Sequence, residues 1–505
     1  MAAPRSLLGQ PHGFARDFPR DQMPSGYLWD VVDYVPLIID AILTGRGGWA
    51  WGSDVMGGDA LGGILGSFAS GGDRLLIAAS NNHWYEVDQN SPYGVNDRGA
   101  CDTIIQNPIQ AGTSVVSFDG AGLQVPQLIS CPSGTLLIGR MDSGAPKAKV
   151  GTYWHQYVVV SGMPSEPHVI RFSLPGNPAG VWDSTSNLPS RAPVTGLAAL
   201  RSVVIVFHAG TTERIRGTTP THTGTEGDMA LEPLFDRVGC TDPKTIASWQ
   251  DNVLFADEHG VHVTDGAVIR NIASQGGILY FWRNLYALKV SLAACTFLDY
   301  YIITVRTASG ATTLICDLNR RQWFRFANVY ALSYVASTGG LGMERVWAGM
   351  YGTNRLARIG PTFFPATTSS GPIYDADGVA VLPVLETPWY RMGREGRKRS
   401  RFAYLSYDVR TTSLGAESSG PPLAPPEVLA AVAPVLEFSF LTGPSGLNYT
   451  VMGSLPPTTT YTRYRLPIWR APYGVALRVR QTQPATVNRI YDLAVDSQAL
   501  EPSTL

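Results

Sequence analysis

Short strand-like runs recur along this chain at a nearly constant spacing, and that recurrence limits the fold more than any other feature. The runs are "DRLLIAAS" at 73, "GTSVVSFDG" at 112, "HQYVVVSG" at 155, "RSVVIVFHAG" at 201, "NVLFADEHGVHVTDG" at 252, "DYYIITVRTASG" at 299 and "ERVWAGMYG" at 344. Counted from Leu76 through Val116, Val158, Val203, Val253, Ile302 and Val346, the step is about 40 to 50 residues, the length of one four-stranded propeller blade. A lone blade leaves its faces bare, so such units are stable only when each packs on the next and the series closes. The expected fold class is all-β, with a β-propeller of six or seven blades over residues 55–365.

The unit from Val238 to Ala273 shows the local logic. Asn252 to Ala256 is a short apolar run, Asp257-Glu258-His259-Gly260 is turn chemistry, Val261 to Thr264 alternates, and Asp265-Gly266 closes the next turn before Val268 to Ile272. Strands this close in sequence have no room for a crossover and must pair antiparallel. In "RQWFRF" at 321–326 large aromatic and polar groups alternate, so its aromatics are expected to pack between blades rather than form a ligand cage.

At 505 residues the chain exceeds one ordinary core. Its 53 glycines, 36 prolines and low charged fraction of 16% fit turn-rich β structure. Residues 1–54 mix proline, glycine and aromatics without a sustained helical period and read as an extended N-terminal arm. Beyond the repeat, 385–410 and 436–495 alternate again, which implies a C-terminal β-sandwich-like domain over 366–505. Within it, the Pro/Ala-rich insertion 411–435 has too many prolines for a ladder strand and reads as a surface loop.

A net charge of −1 gives no bulk attraction to nucleic acid or membrane. Cys101, Cys131, Cys240, Cys295 and Cys316 form no CxxC pair, so reduced, buried thiols are expected. The first twenty residues lack an apolar core of signal-peptide length, and Val31 to Leu43 is broken by Asp33, Pro36 and Asp40; neither export nor a membrane span is expected.

The motifs of catalysis are incomplete. His259 and His262, three apart on a hairpin, fall on opposite faces and read as polar surface histidines. "DADG" at 375–378 begins like a calcium loop, but Val379 and Ala380 stand where a ligand and a glycine are needed. The glycine-rich 57–73 lacks the Gly-Lys-Ser/Thr ending of a phosphate cradle and reads as a flexible lead-in. Asp257, Glu258 and Asp265 sit in turns, where solvation explains acids, although converging carboxylates would suit a glycosidase. No enzymatic activity, catalytic residue, cofactor or metal ligand is therefore assigned. One charge run stands out in "RMGREGRKRSR": Arg391, Arg394, Arg397, Lys398, Arg399 and Arg401 against Glu395. It is read as a solvated hairpin tip or as a contact for phosphates or an acidic partner.

Taken in order, the arm ending in "RGGW", the blade "DRVGCTDPKTIASWQDNVLFADEHGVHVTDG", the strand pair "TPWYRMGREGRKRSRFAYLSYDV" and the closing "YRLPIWRAPYGVALRVRQTQPATVNRIYDLAV" resemble the tail hub or nozzle proteins of tailed bacteriophages, the packaged-DNA stabilisation family of short-tailed phages. These segments cover about a third of the chain and are structural motifs. The 411–435 insertion departs from the compact form of that family. The resemblance implies a structural virion protein without enzymatic activity, assembled in the host cytoplasm. It would form a hexameric ring below the head-to-tail adaptor, with distal tail or tail-fibre proteins beneath it, lining the channel for packaged DNA. The basic run would then meet the adaptor or the DNA. The competing class is a propeller tail protein that binds a receptor or cleaves polysaccharide.

Overall fold

The computed structural model describes residues 5–6, 13–20, 22–24, 27–36, 43–45, 49–67, 73–81, 83–88, 94–100, 127–131, 134–138, 146, 148, 150–175, 182–338, 344–359, 377, 382, 384–386, 390–391, 398–410, 436–441, 450–455, 458–467, 474–481 and 487–499. Strands dominate, gathered into several small sheets. Six of these are antiparallel meanders, labelled A to F. Sheet A holds Ala60–Ser67, Asp73–Ala79, His83–Asp88 and Val95–Ala100, with the hairpin Gln127–Cys131/Gly134–Ile138 added to its first strand. Sheet B holds Val150–Trp154, Tyr157–Ser161, Val169–Phe172 and Asn187–Pro189; sheet C holds Gly196–Ala199, Val204–Phe207, Thr211–Arg216 and Ala230–Asp236. Sheet D comprises Ala247–Trp249, Asn252–Asp257, Gly260–Thr264 and Ile269–Asn271, and sheet E Lys289–Phe297, Tyr300–Thr307, Gly310–Asp317 and Gln322–Phe326. Sheet F comprises Ala331–Thr338, Glu344–Met350 and Arg355–Ile359, and its fourth strand is Ala50–Trp51 from the N-terminal arm.

The spacing read from the sequence falls on these sheets. Leu76, Val158, Val253, Ile302 and Val346 each lie on the second strand of a sheet, and Val203 immediately precedes one. Val116 lies outside the described residues. Second strands are continuous apolar runs because both faces are covered, and the two-residue period divides each run between two neighbours. Val204 and Val206 pack toward sheet B, Ile205 and Phe207 toward sheet D. In turn Val253 and Phe255 face C, Leu254 and Ala256 face E, and Ile302 faces F. Trp347 of F packs on Leu75 and Ile77 of A, so the last sheet in sequence adjoins the first. At about 1.5–3 kcal/mol for each large apolar side chain buried, these junctions are the main stabilisation of the array.

Two helices link D to E: α1 (Ile272–Gln275) and α2 (Leu279–Ala287). Asn271 caps α1 by accepting from Ser274 N. For α2 the cap comes from the arm: Asp17 accepts from Leu279 N and Tyr280 N, both at 2.7 Å, and Phe14 meets Phe281 edge to face.

The arm is stitched into the rest of the chain. Gly13 adopts φ +78°, where a Cβ would stand 2.6 Å from Trp323 O, and Phe14 N donates to that same carbonyl. Asp30–Val32 pairs in parallel with Gln322–Phe326 on one side and antiparallel with Val384–Glu386 on the other. Through it sheet E continues into the C-terminal strands Gly474–Gln481, Leu436–Leu441 and Thr450–Leu455, with Tyr390–Arg391 alongside, as one ten-stranded sheet. A second sheet joins Tyr34–Pro36 and Leu43–Gly45 to Val487–Ala499, Lys398–Arg410 and Thr458–Pro467. Leu385, Leu436, Leu477 and Val479 of the first and Tyr34, Leu43, Ile490 and Leu493 of the second share the core that holds Trp323.

One local expectation fails. Residues 60–67, read as a flexible lead-in, form the first strand of sheet A, with Ile64 opposite Leu76. Glycines weaken a strand but do not prevent one when a partner ladder and a packed neighbour are present.

Candidate functional site

The structure divides the basic run between two ladders. Arg391 lies opposite Gly474, whereas Lys398 and Arg399 lie opposite Ala499 and Gln498 in the other C-terminal sheet. Arg401 falls at a bulge between Ser400 and Phe402. Arg394 and Arg397 lie outside the described residues. The run is therefore a connection between two sheets and not the tip of one hairpin, a difference that pattern reading misses because both flanks alternate alike.

The sheet D acids and histidines also differ from expectation. His259 is exposed in its turn, but His262 and Asp257 are buried and bonded at 2.8 Å, with the imidazole stacked on Phe255. Neither is the solvated surface group anticipated. Sheet C repeats the device with its ends exchanged: His208 bonds Glu213 at 3.0 Å at the corresponding diagonal across the second and third strands. Each pair lets a polar strand end enter the junction without a lost hydrogen bond. Asp265 fits its turn reading, its carboxyl held below the usual range by the Val268 and Ala267 amides. Glu258 is exposed as expected. Among the "DADG" residues only Asp377 is described; it is exposed and accepts from Asn328. Trp323, Phe324 and Phe326 are packed between sheets. Cys240, Cys295 and Cys316 are free and buried, and burial pushes all three thiols up. Burial leads over the neighbouring charges in each case.

Two carboxylates hold the arm. Asp30 accepts from Arg325 through Nε at 3.0 Å and Nη2 at 2.6 Å, and from Arg16 at 3.0 Å. Glu386 meets Arg478 at 2.6 Å and Arg20 at 3.6 Å. Arg16 and Arg20 both lie over the Trp29 ring. Burial lowers the Arg16 pKa, opposed by Asp30.

Several buried polar atoms without a hydrogen-bond partner belong to sheet B, to the segment before its last strand, and to the 217–229 loop of sheet C, which meets sheet B at Tyr157. Asp228 fixes the loop base by accepting from Thr218 N and Thr219 N at 2.8 and 2.7 Å. Asp183 ties the loop to sheet B: it accepts from the amide and hydroxyl of Thr223 at 2.6 and 2.8 Å and from those of Thr185, both at 2.8 Å. These donors hold both carboxyls below the usual range. Between them His222 stacks on Tyr157, with centroids 6.2 Å apart and planes at 29°. Its Nδ1 is 4.0 Å from Asp183, too far for a hydrogen bond. Both ring nitrogens are buried and have no hydrogen-bond partner within the chain; the same holds for Trp154 Nε1, Thr152 Oγ1 and Ser186 Oγ. Trp154 and Tyr157 are cross-strand neighbours flanking the turn His155-Gln156. Both turn residues have positive φ, +46° and +70°, without the Asn-Gly pair that such a turn favours. Burial, with Asp228, raises the Tyr157 pKa.

Nothing in the sequence reading singled out this junction. The available signal was the pair "YWHQY" and "GTTPTHTGTEGD", a tight turn without its favoured residues and a threonine-rich loop carrying one histidine.

No family model matches the chain, and no curated protein matches it. Solved structures with propeller-like folds resemble it in shape. BBS1N, crystallised in complex with ARL6DN and soaked with mercury, aligns with a TM-score of 0.38 and 10% identity over 63% of this chain and 99% of its own. A putative exported protein from Bacteroides fragilis NCTC 9343 gives 0.29 and 7%, covering 63% and 88%. A mutant Aleuria aurantia lectin in complex with Fucalpha1-6GlcNAc gives 0.30 and 11%, covering 55% and 96%.

Proposed function

We propose that this chain is a structural subunit of a tailed-bacteriophage tail, a hub or nozzle protein whose propeller of six or seven blades is closed by the arm strand Ala50–Trp51. Support for closure comes from the packing order: each sheet from B to F leans on the next, and F leans on A. Residues 101–149, where a further blade would belong, include the hairpin 127–138 on the edge of sheet A.

The observation that carries the reading is mechanical. A ten-stranded sheet runs from the repeat, through an arm strand, into the C-terminal domain, and the Asp30 and Glu386 arginine clusters lock the same seam. A subunit so joined moves as one body, as a ring under the pressure of packaged DNA must. In a hexamer, six copies of the basic segment 391–401 would meet the acidic rim of the head-to-tail adaptor, each contact shallow and the sum strong. DNA would pass along the axis of the ring, and distal tail or fibre proteins would attach below.

Imaging of the native particle tests this. A sixfold ring of this chain between adaptor and distal tail is the expected result. Finding the chain at a fibre tip, or absent from the tail, refutes it. The competing class, a polysaccharide-cleaving protein, predicts release of oligosaccharide from host capsule; the hub reading predicts none.

A further inference from the structure

Across sheets E, F and A, the rim where first strands begin and second strands end carries apolar side chains that the packing of the sheets leaves open. Leu288, Val290, Tyr330, Tyr351 and Val55 are 67, 58, 44, 49 and 57% exposed. They form one band. Val290 stands out of its ladder at the bulge between Lys289 and Ser291, a device that re-aims a side chain. Arg306, opposite Ser291, lies 3.8 Å from the ring centroid of Tyr351, which follows the second strand of sheet F. Tyr351 N donates to Tyr330 O, and Gly352 N and Asn354 N donate to Asp59, just before the first strand of sheet A. Val55 adjoins the same turn, since Met56 N donates to Asn354 O. At these exposures the five side chains offer about 350 Å² of apolar surface. That is most of the apolar half of the ~800 Å² each partner gives to a standard interface.

The charges along the band are divided between its ends. Around the first strand of sheet E stand Lys244, Lys289 and Arg306 against Asp242, which takes a 2.9 Å contact from Lys289. Toward Val55 and Tyr330 stand Asp54, Asp59 and Asp377 against Arg355. All of these side chains are exposed or half-buried. A rim that is basic at one end, acidic at the other and apolar between complements itself when turned through 180°. We propose that this rim is a twofold contact for a second copy of the chain, with the apolar band meeting itself and each basic end lying on the partner's acidic end. Nucleic acid would gain nothing from Leu288, Val290 and Val55 and would be repelled by the acidic end, and the same end opposes an anionic membrane. The inference does not rest on the hub reading, because the contact belongs to a pair of isolated chains.

Analytical ultracentrifugation of the full chain over a series of concentrations tests this. The mass of the starting unit should double as concentration rises. Leu288→Asp, at an exposed position, should weaken the doubling about tenfold or more. Lys289→Glu and Asp54→Lys should each weaken it by setting like charges together, more so at low salt. An equimolar mixture of those two variants should associate within about threefold of the parent chain, because each supplies the charge the other lacks. Circular dichroism checks that the variants keep their strands, and Leu288→Asp keeps the test sound if Lys289→Glu, beside Asp242, does not fold. No doubling up to the solubility limit, association that Leu288→Asp leaves unchanged, or a mixture no stronger than either variant alone would each overturn the proposal. Binding of duplex DNA or of phosphatidylserine vesicles that Leu288→Asp abolishes, in a chain that does not pair, would also overturn it and assign the rim to that partner.

Discussion

Asp30→Ala should release the arm while leaving the array intact. The carboxylate takes a two-pronged contact from Arg325 and a third bond from Arg16. Removing one partner of a buried ion pair costs about 3–5 kcal/mol, because the cations left behind lose their compensation. The Arg16 and Arg325 side chains keep 25% and 28% exposure, so water recovers part of that and roughly 2–3 kcal/mol remains. The loss should be local, because sheets B and C pack through cores that exclude the arm, whereas sheet D shares its other core with Phe14 and Leu28. At about 1.4 kcal/mol per factor of ten, arm amides should open about 30- to 150-fold more often. Hydrogen exchange can follow Phe14 N, Leu28 N and Trp29 N, which donate to Trp323, Gly13 and Glu386. Asp30→Asn, nearly the same shape without the charge, should fall between. Exchange at these amides unchanged within about threefold, or accelerated equally in sheet C, would show that the carboxylate does not hold the seam.

Lys244, in the turn Pro243–Thr245, reaches Leu332 O at 3.4 Å, and burial pushes its pKa down to about 8 against the pull of Asp242. The unfolded chain keeps the proton up to about 10.4. Between these values unfolding binds a proton, so stability from this group rises with pH. Lys244→Met should therefore raise Tm at pH 7, with a gain that shrinks toward pH 10 in calorimetric scans. Gly13→Ala must place a Cβ against the Trp323 backbone at positive φ and should cost at least ~2 kcal/mol, read as lost protection of the arm. Asp17→Ala removes the only side-chain cap seen on α2 among the described residues and should cost about 1 kcal/mol, visible as faster exchange at Leu279 N and Tyr280 N. Asp183 and Asp228 have depressed pKa values, so the 217–229 loop should keep its protection from pH 7 to pH 5 and lose it only well below the ordinary carboxylate value of about 4. Exchange at Thr223 N across that range checks the sign. On the hub reading, replacing Arg397, Lys398 and Arg399 by Glu should abolish docking of the proposed ring to the adaptor in DNA-free particles. Normal ring occupancy there, with genome leaking from full particles, would assign the run to DNA instead.

The repeat was legible because a blade strand buried on both faces must be apolar throughout, and second strands such as Val204–Phe207 announce themselves as continuous runs. The edges of the repeat were not. Ala50–Trp51 is two residues long, and its place in sheet F is decided by Ala357 and Arg358, some 300 positions away. The same blindness hid α2. Ile278, Trp282, Leu285 and Tyr286 have helical spacing, but nine residues are too few to stand out, and the cap that starts the helix is Asp17.

Site chemistry was hidden for a related reason. A turn acid is normally solvated, and sequence alone gives Asp257 and Asp265 the same surroundings. Their difference is set by the neighbour: Asp265 serves its own turn, whereas Asp257 ends a strand that sheet C covers and therefore needs His262. His208 and Glu213 meet the same need with the roles exchanged, so no residue type recurs even though the pairing does. Each sheet of a packed series lends its faces to two neighbours, and what a polar residue can do is fixed across the junction. The His222 junction follows this rule too, with one difference. Its loop is held by carboxylates that accept from threonine donors, and the rings of Trp154 and His222 and the hydroxyls of Thr152 and Ser186 are left without a hydrogen-bond partner in either sheet.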